Sequence, residues 1–298
     1  NRATENLIST GKVRDIYYGG NNNELIMDAT DRLSAFDKHV TSIPFKGEII
    51  NRVSHWWFHA TEDIIANHFI SMDKGNSSSM IVEKCDVFPI EVIIRDYLTG
   101  STSTSIWTNY DKGVRNYCGN KLPDGLVKNQ RLPETIVTPT TKGEVDELID
   151  EKYITDRIMT EEEWKFVKSK ALELFKRGQE IVSKNGLILV DTKYEFGRDK
   201  NGDIILVDEL HTPDSSRFWI KHTYEKNLQQ GKEPDNIDKE FLRKWLKKEC
   251  KTREIDVTNT DNISDLVTSD MVVETSKKYM QLYELITGDE FMDYKNLL

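Results

Sequence analysis

The sequence predicts an α+β chain built mainly on antiparallel sheet, and three observations carry that reading. Strand-like runs come in neighbouring pairs, as in "VRDIYYG" and "ELIMDAT" around the turn-rich "GNNN". Helical periodicity is confined to a few long stretches, so a regular βαβ alternation is excluded. Asn201-Gly202, the strongest short hairpin signal available, joins two further apolar runs.

Taken in order, the first hairpin is followed by "DRLSAFD" and then by a helix over "EIINRVSHWWFHATEDIIANHFIS", where Ile49, Val53, Trp56, Trp57, Ala60 and Ile64 keep helical spacing. "MIVEKCDV" and "IEVIIRDYL" read as strands parted at Phe88-Pro89. Positions 100 to 150, rich in Ser, Thr, Gly and Pro, read as loops over a site. Thr160 with Glu163 forms a capping box for a helix through Ser183, and Gly186 is its stop. A hairpin over 190–210 follows. Amphipathic helices over about 238–250 and 269–287 end the chain, the second stopped by Gly288. The expected organisation is an N-terminal antiparallel β domain (1–97), a central α+β domain (98–218) carrying metal and substrate sites, and a C-terminal helical segment (219–298).

A net charge of −10 argues against nucleic acid as the main partner, yet a basic pocket for a phosphorylated small molecule remains open. No apolar run approaches the length of a membrane span, and the first residues lack a leader's apolar core. Cys85, Cys118 and Cys250 are far apart and form no CxxC. They read as reduced thiols, and the expectation is a soluble cytoplasmic protein, a monomer or small homo-oligomer.

The hairpin carries the sharpest chemistry. If Asn201-Gly202 is a two-residue loop, Glu195 lies opposite Asp208, and Asp191 and Lys193 share their face. Directly opposed side chains are about 4.5–5.5 Å apart at Cβ, and like charges there are destabilising. Two carboxylates so placed need a cation, and Mg²⁺ suits a site of one or two carboxylates completed by substrate phosphates. The bland alternative is an exposed hairpin whose acids are merely solvated, but "LILV" and "IILV" suggest strands covered on both faces.

Weaker signals lie elsewhere. Gly11, Lys12 and Arg14 open the first strand, where backbone and a point charge can approach a phosphate; an ordinary charged turn competes with that reading. Arg95 ends an apolar strand before a Gly-Ser loop and needs an anion, either a ligand or a structural carboxylate. Asp214, Ser215, Ser216 and Arg217 combine the groups of a sugar-phosphate loop, although a capped turn would use the same residues. His55 and His59 make a poor zinc site, because Trp56 stands where HExxH needs glutamate.

Together, "GKVRDIY", "DRLSAFD", "IEVIIRDYLTGS", "LPETIVTPTTKGE", "LILVDTKYEFG" and "VDELHTPDSSRFW" resemble the phosphoribosylaminoimidazole-succinocarboxamide (SAICAR) synthetase family, in its longer monofunctional form. The segments follow family order from about residue 11 to 219, with a family-like "ITGDEF" near the end. The resemblance implies an ATP-grasp-like fold and an ATP-dependent ligase. It would join carboxyaminoimidazole ribonucleotide (CAIR) to L-aspartate through an acyl phosphate, with Mg²⁺ as the metal. Carried over by position, Gly11, Lys12 and Arg14 would serve ATP under a covering hairpin, and Lys84 would mark the adenine-side hinge. Glu195 and Asp208 would hold Mg²⁺. Asp37, Arg95, Ser101, Asp214, Ser215 and Arg217 would bind CAIR, and Asp146 would lie near aspartate. Lys142 would sit near the transferred phosphate, with Asp191 and Lys193 lining the same pocket. One departure stands out: Val145 precedes Asp146 where the family usually has His. A related-fold small-molecule kinase, or a non-catalytic nucleotide-binding protein, is the competing reading.

Overall fold

A computed structural model describes residues 4–257 and 261–291. The first hairpin forms as its pattern requires: β1 (Leu7–Thr10), β2 (Arg14–Tyr18) and β3 (Glu24–Ala29) run antiparallel. A separate hairpin follows, β4 (Arg32–Ala35) and β5 (Lys38–Ser42). Its two-residue turn is Phe36-Asp37, both at positive φ (54° and 59°). That conformation suits Gly or Asn, so a Phe there is strained and is held by its surroundings.

Helix α1 (Lys46–Ala60) packs on β3. It is shorter than expected. Thr61 Oγ1 donates back to the Trp57 carbonyl at 2.7 Å, and the Asn67 side chain accepts from the Phe69 N–H at 3.0 Å. The "FISM" stretch then pairs as β6 (Phe69–Met72) with β7 (Ser79–Glu83), completing a sheet ordered β1-β2-β3-β7-β6. Apolar residues at 64–72 fit either period, and sheet pairing decided between them.

The second sheet is larger. Strands β8 (Asp86–Val87) and β9 (Ile90–Tyr97) already belong to it, ahead of position 98. The 100–150 stretch is more ordered than expected. It contains α2 (Ile106–Asp111), the small pair β10 (Asn116–Tyr117) and β11 (Asn120–Lys121), and β12 (Arg131–Val137) and β13 (Thr140–Thr141), both paired with β9. Pro133 and an interrupted register hide β12 from pattern reading, as suits an edge strand. After α3 (Glu151–Arg157), α4 (Glu161–Lys184) opens on the expected Thr160/Glu163 capping box. Short α3 was not anticipated, and neither were α2 and α5.

Strand β14 (Leu187–Arg198) is the sheet's axis, with β9 on one side and β15 (Ile204–Val207), β16 (Ser216–Ile220) and β8 paired along it. Its register against β16 shifts between Leu189 and Asp191. Before the shift, Leu187 and Leu189 join the core under α4; a Cβ on Gly178 of α4 would stand 2.8 Å from Leu189 and 2.6 Å from His211. Beyond it, Tyr194 and Phe196 join that core, so Asp191, Lys193 and Glu195 point the other way. A β-bulge thus turns one continuous strand from a wholly apolar element into the wall of a polar cleft.

The β14–β15 turn differs from the two-residue loop. Asp199 Oδ1 accepts from the N–H groups of Asn201 and Asp203, both at 2.9 Å, and Gly202 takes φ 83°. The loop is therefore three residues long with a left-handed Gly, and Glu195 faces Val207 rather than Asp208. Helix α5 (Lys221–Gln229) follows β16. Helices α6 (Glu240–Thr252) and α7 (Ser269–Thr287) close the fold, α7 against α1 and capped by Gly288 at φ 78°. Among the described residues no helix is long and apolar enough to cross a membrane.

Candidate active site

Although the register is off by one, Glu195 and Asp208 are neighbours. Asp208 leaves β15 in the left-handed region, φ 68°, and its carboxyl group acts directly on that of Glu195. Burial, then the adjacent Asp208 charge, pushes the Glu195 carboxyl well above the usual range. Asp208 goes the other way: against the penalty of burial, Arg14 and Lys193 hold it below.

Cations ring this pair. Lys142 Nζ lies 2.5 Å from Glu195 Oε1; burial would lower its pKa, but Glu195 and Asp208 raise it. Arg14 lies 3.0 Å from Glu209 and 3.6 Å from Asp208. Lys193 contacts Glu91 at 3.1 Å. Among the described residues no group of three or more acidic, His or Cys side chains could hold a metal, so the pair offers two carboxylates only. Such a donor set fits Mg²⁺ completed by phosphate and water.

Four positions along β14, Asp191 organises the arginines. Arg217 donates to both its oxygens (2.9 and 3.2 Å), and Arg95 stands 3.8 Å away with its Nε on Thr138. All three are buried or nearly so. Ser101 reaches the same end of the cleft, where its hydroxyl donates to Glu240 of α6 at 2.9 Å.

At the mouth, Lys12 pairs with Asp37 at 2.6 Å, both exposed. Asp146 is close enough to feel Lys12, Lys193 and Asp37; burial and Glu91 raise its pKa. Val145 is 73% exposed. The Gly11 carbonyl accepts from Arg32 at 3.1 Å, which fixes the β1–β2 turn beside this group.

Two expected residues are placed apart. Asp214 is sealed in the interior, 3.0 Å from Lys46 and 2.8 Å from the Tyr279 hydroxyl. Lys84 is exposed on the β7–β8 connection, its N–H bonded to Asn23 across the link between sheets. Ser215 supports its loop: its hydroxyl accepts from the Thr212 N–H at 3.1 Å, and its carbonyl accepts from the Lys193 N–H.

Sequence reasoning missed Glu91, Glu209, Lys46 and the α6 residues Glu240, Arg243 and Lys247. Glu91 carried a signal, being an acid among apolar residues four positions before Arg95. The α6 residues did not, because charges at helical spacing look like a solvated face.

Comparison with known proteins gives the family of the chain. Residues 7–259 match the SAICAR synthetase family model. The chain is 50% identical over 280 residues to the chloroplastic phosphoribosylaminoimidazole-succinocarboxamide synthase of Arabidopsis thaliana, covering 93% of this chain and 66% of that one. It is 46% identical to the Legionella pneumophila (strain Lens) protein of the same name over 95% of this chain and 88% of the relative. Among solved structures, SAICAR synthase from Saccharomyces cerevisiae complexed with SAICAR superimposes with a TM-score of 0.80 at 34% identity, over 96% of each chain. A SAICAR synthetase in complex with ADP gives 0.71 at 27% identity, covering 96% of this chain and all of that one.

Proposed function

The chain belongs to the SAICAR synthetase family, and on that premise we propose how its cleft divides the family's reaction among named side chains. The protein has the ATP-grasp-like fold and is an ATP-dependent ligase of purine biosynthesis, joining the CAIR carboxylate to the amine of L-aspartate. A carboxylate is a poor electrophile. Attack of its oxygen on the γ-phosphorus of ATP, with release of ADP, gives an acyl phosphate; the amine then attacks the acyl carbon and phosphate departs.

One observation carries the assignment. The Glu195–Asp208 pair and Asp191, which gathers Arg95 and Arg217, lie along one strand, so a nucleotide's phosphates and an anionic substrate would meet over β14. Glu195 and Asp208 would hold Mg²⁺, which would supply charge neutralisation on the phosphates. Lys142 and Lys193, beside Glu195 and Glu91, would balance charge on the transferred phosphoryl group. Arg95, Arg217 and Ser101 would take the anionic groups of CAIR, with Asp191 holding both arginines in place. The Asp37 and Asp146 carboxylates at the mouth suit an ammonium, with Lys12 beside them for a phosphate or carboxylate. Asp214, sealed against Lys46, would fix the shape of the CAIR loop, and Ser215 would do the same from inside it. The Gly11 turn and Arg14 would bring the covering hairpin down on ATP, and the Lys84 segment would serve as its hinge.

The test is ADP formation with CAIR, with and without L-aspartate. Turnover requiring both, with SAICAR formed in step with ADP, is expected. Sustained ADP release with CAIR alone would instead identify a kinase.

A further inference from the structure

Helix α6 meets the arginine end of the cleft through Glu240. Its carboxylate, 4% exposed, accepts from Ser101 Oγ at 2.9 Å and from Arg243 at 3.2 Å, and stands 3.7 Å from Arg217 Nε. Arg217 and Arg243 hold the Glu240 carboxyl down to about 2 against the penalty of burial. Two donors are left over: the buried Nε atoms of Arg217 and Arg243 have no hydrogen-bond acceptor among the described residues. Lys247 closes the group by donating to the Ser101 carbonyl at 2.6 Å.

A hydroxyl and two guanidiniums around one carboxylate make an anion seat filled by the protein's own anion. Two carboxylate oxygens leave two of its donors unserved, whereas a phosphate brings three terminal oxygens and up to two charges. We propose that Glu240 determines specificity for the phosphate of the substrate ribonucleotide, occupying the seat of Ser101, Arg217 and Arg243 in the free enzyme and yielding it when that phosphate binds. This rests on the reading that Ser101 and Arg217 take the CAIR phosphate.

The physical consequence has a definite sign. While Glu240 is in place the buried cations are paired and the free enzyme is stable. A weak monoanion gains little by displacing it, but a phosphate dianion gains donors and charge. Removing the Glu240 charge leaves Arg243 without its carboxylate and Arg217 with Asp191 alone. The free state is then raised in energy, and any phosphate is held more tightly.

Glu240→Gln keeps an acceptor for Ser101 and removes the charge. Expected are a Kd for CAIR and an inhibition constant for inorganic phosphate each lowered about tenfold, with KM for ATP unchanged. The ligand-free thermal midpoint should fall and should recover when phosphate is added. Glu240→Asp keeps the charge and should stay close to wild type, which separates charge from packing. Unchanged or weakened affinity for both ligands in Glu240→Gln would overturn the role of Glu240. Arg217→Gln tests the seat itself, since phosphate should no longer compete with CAIR there. If competition survives that change, the seat is misplaced and both readings fall. If it is lost there but indifferent to Glu240→Gln, only the specificity role falls.

Discussion

Lys46–Asp214 and Lys142–Glu195 are both lysine–carboxylate contacts, at 3.0 and 2.5 Å, and both carboxylates are buried. They differ in what surrounds them. Lys46 is wholly enclosed and Asp214 has a second donor in Tyr279; the Asp214 carboxyl is held low, chiefly by Lys46 against the penalty of burial. Lys142 is 45% exposed, and the second neighbour of Glu195 is another carboxylate. The first pair is complete. The second sets two carboxylates side by side, and its lysine is free to move away. Completed buried pairs resist being broken, whereas an unbalanced pair open to solvent can exchange its cation for another. That difference is what would separate a structural ion pair from one proposed for catalysis, although the residue types are the same.

The largest expected effect lies at the open pair. Asp208→Asn should cut turnover about a thousandfold or more, by removing one of the two carboxylates facing the phosphates. Its thermal midpoint should change little, because the lost attraction of Arg14 and Lys193 for Asp208 is offset by relief of the Glu195 carboxyl, and Arg14 keeps Glu209. A variant that is both inactive and clearly destabilised would erase the contrast, since the open pair would then be structural as well.

Lys46→Met makes the opposite test. It fills a similar volume but strands Asp214 without its cation, and should cost about 3 kcal/mol of stability in denaturant titration. The two variants should therefore cross, one losing activity and the other stability. A Lys46→Met protein as stable as wild type would show that Tyr279 and the nearby Lys239 charge suffice for Asp214, and the pair would lose its structural role.

Only the open side of this contrast could be read in the sequence, together with several elements of the fold, and the reasons are local. The capping box of α4, the stop of α7 at Gly288 and the charged run of β14 depend on residues within one element, where spacing dictates geometry. The pairing of Glu195 with Asp208 was reached by a register that the structure does not have. The Asp199 side chain lengthened the turn by one residue, and the left-handed backbone at Asp208 brought its carboxyl back to Glu195. Neither event has a periodic signature. The strand β12 was hidden by Pro133, and the sealed role of Asp214 was hidden because Lys46 is 168 residues away. Long-range pairing is set by the assembled core, which no local pattern encodes.

A buried titratable group with no counter-charge completes the comparison, with the smallest expected effect. His211 is fully enclosed, its Nε2 2.5 Å from the Tyr194 hydroxyl, and burial holds its pKa down to about 3. The unfolded chain takes up the proton near 6.5 and the folded one does not, so the unfolded state binds more protons across that window. Stability from this residue is therefore present above about pH 6.5 and lost as pH falls towards 3, by up to about 1.4 kcal/mol per pH unit. His68, held to about 4 chiefly by burial, acts in the same direction, whereas Asp238, raised to about 6 chiefly by burial, acts in the opposite one. The difference between wild type and His211→Gln isolates the His211 share. The variant's deficit at pH 7 should shrink steadily as pH is lowered from 6.5, because it has no imidazole to protonate on unfolding. Asp214 adds its own loss only below about pH 4, where its unfolded carboxylate protonates. A pH-independent difference between pH 6.5 and 4.5 would falsify the assignment of a neutral, uncompensated His211.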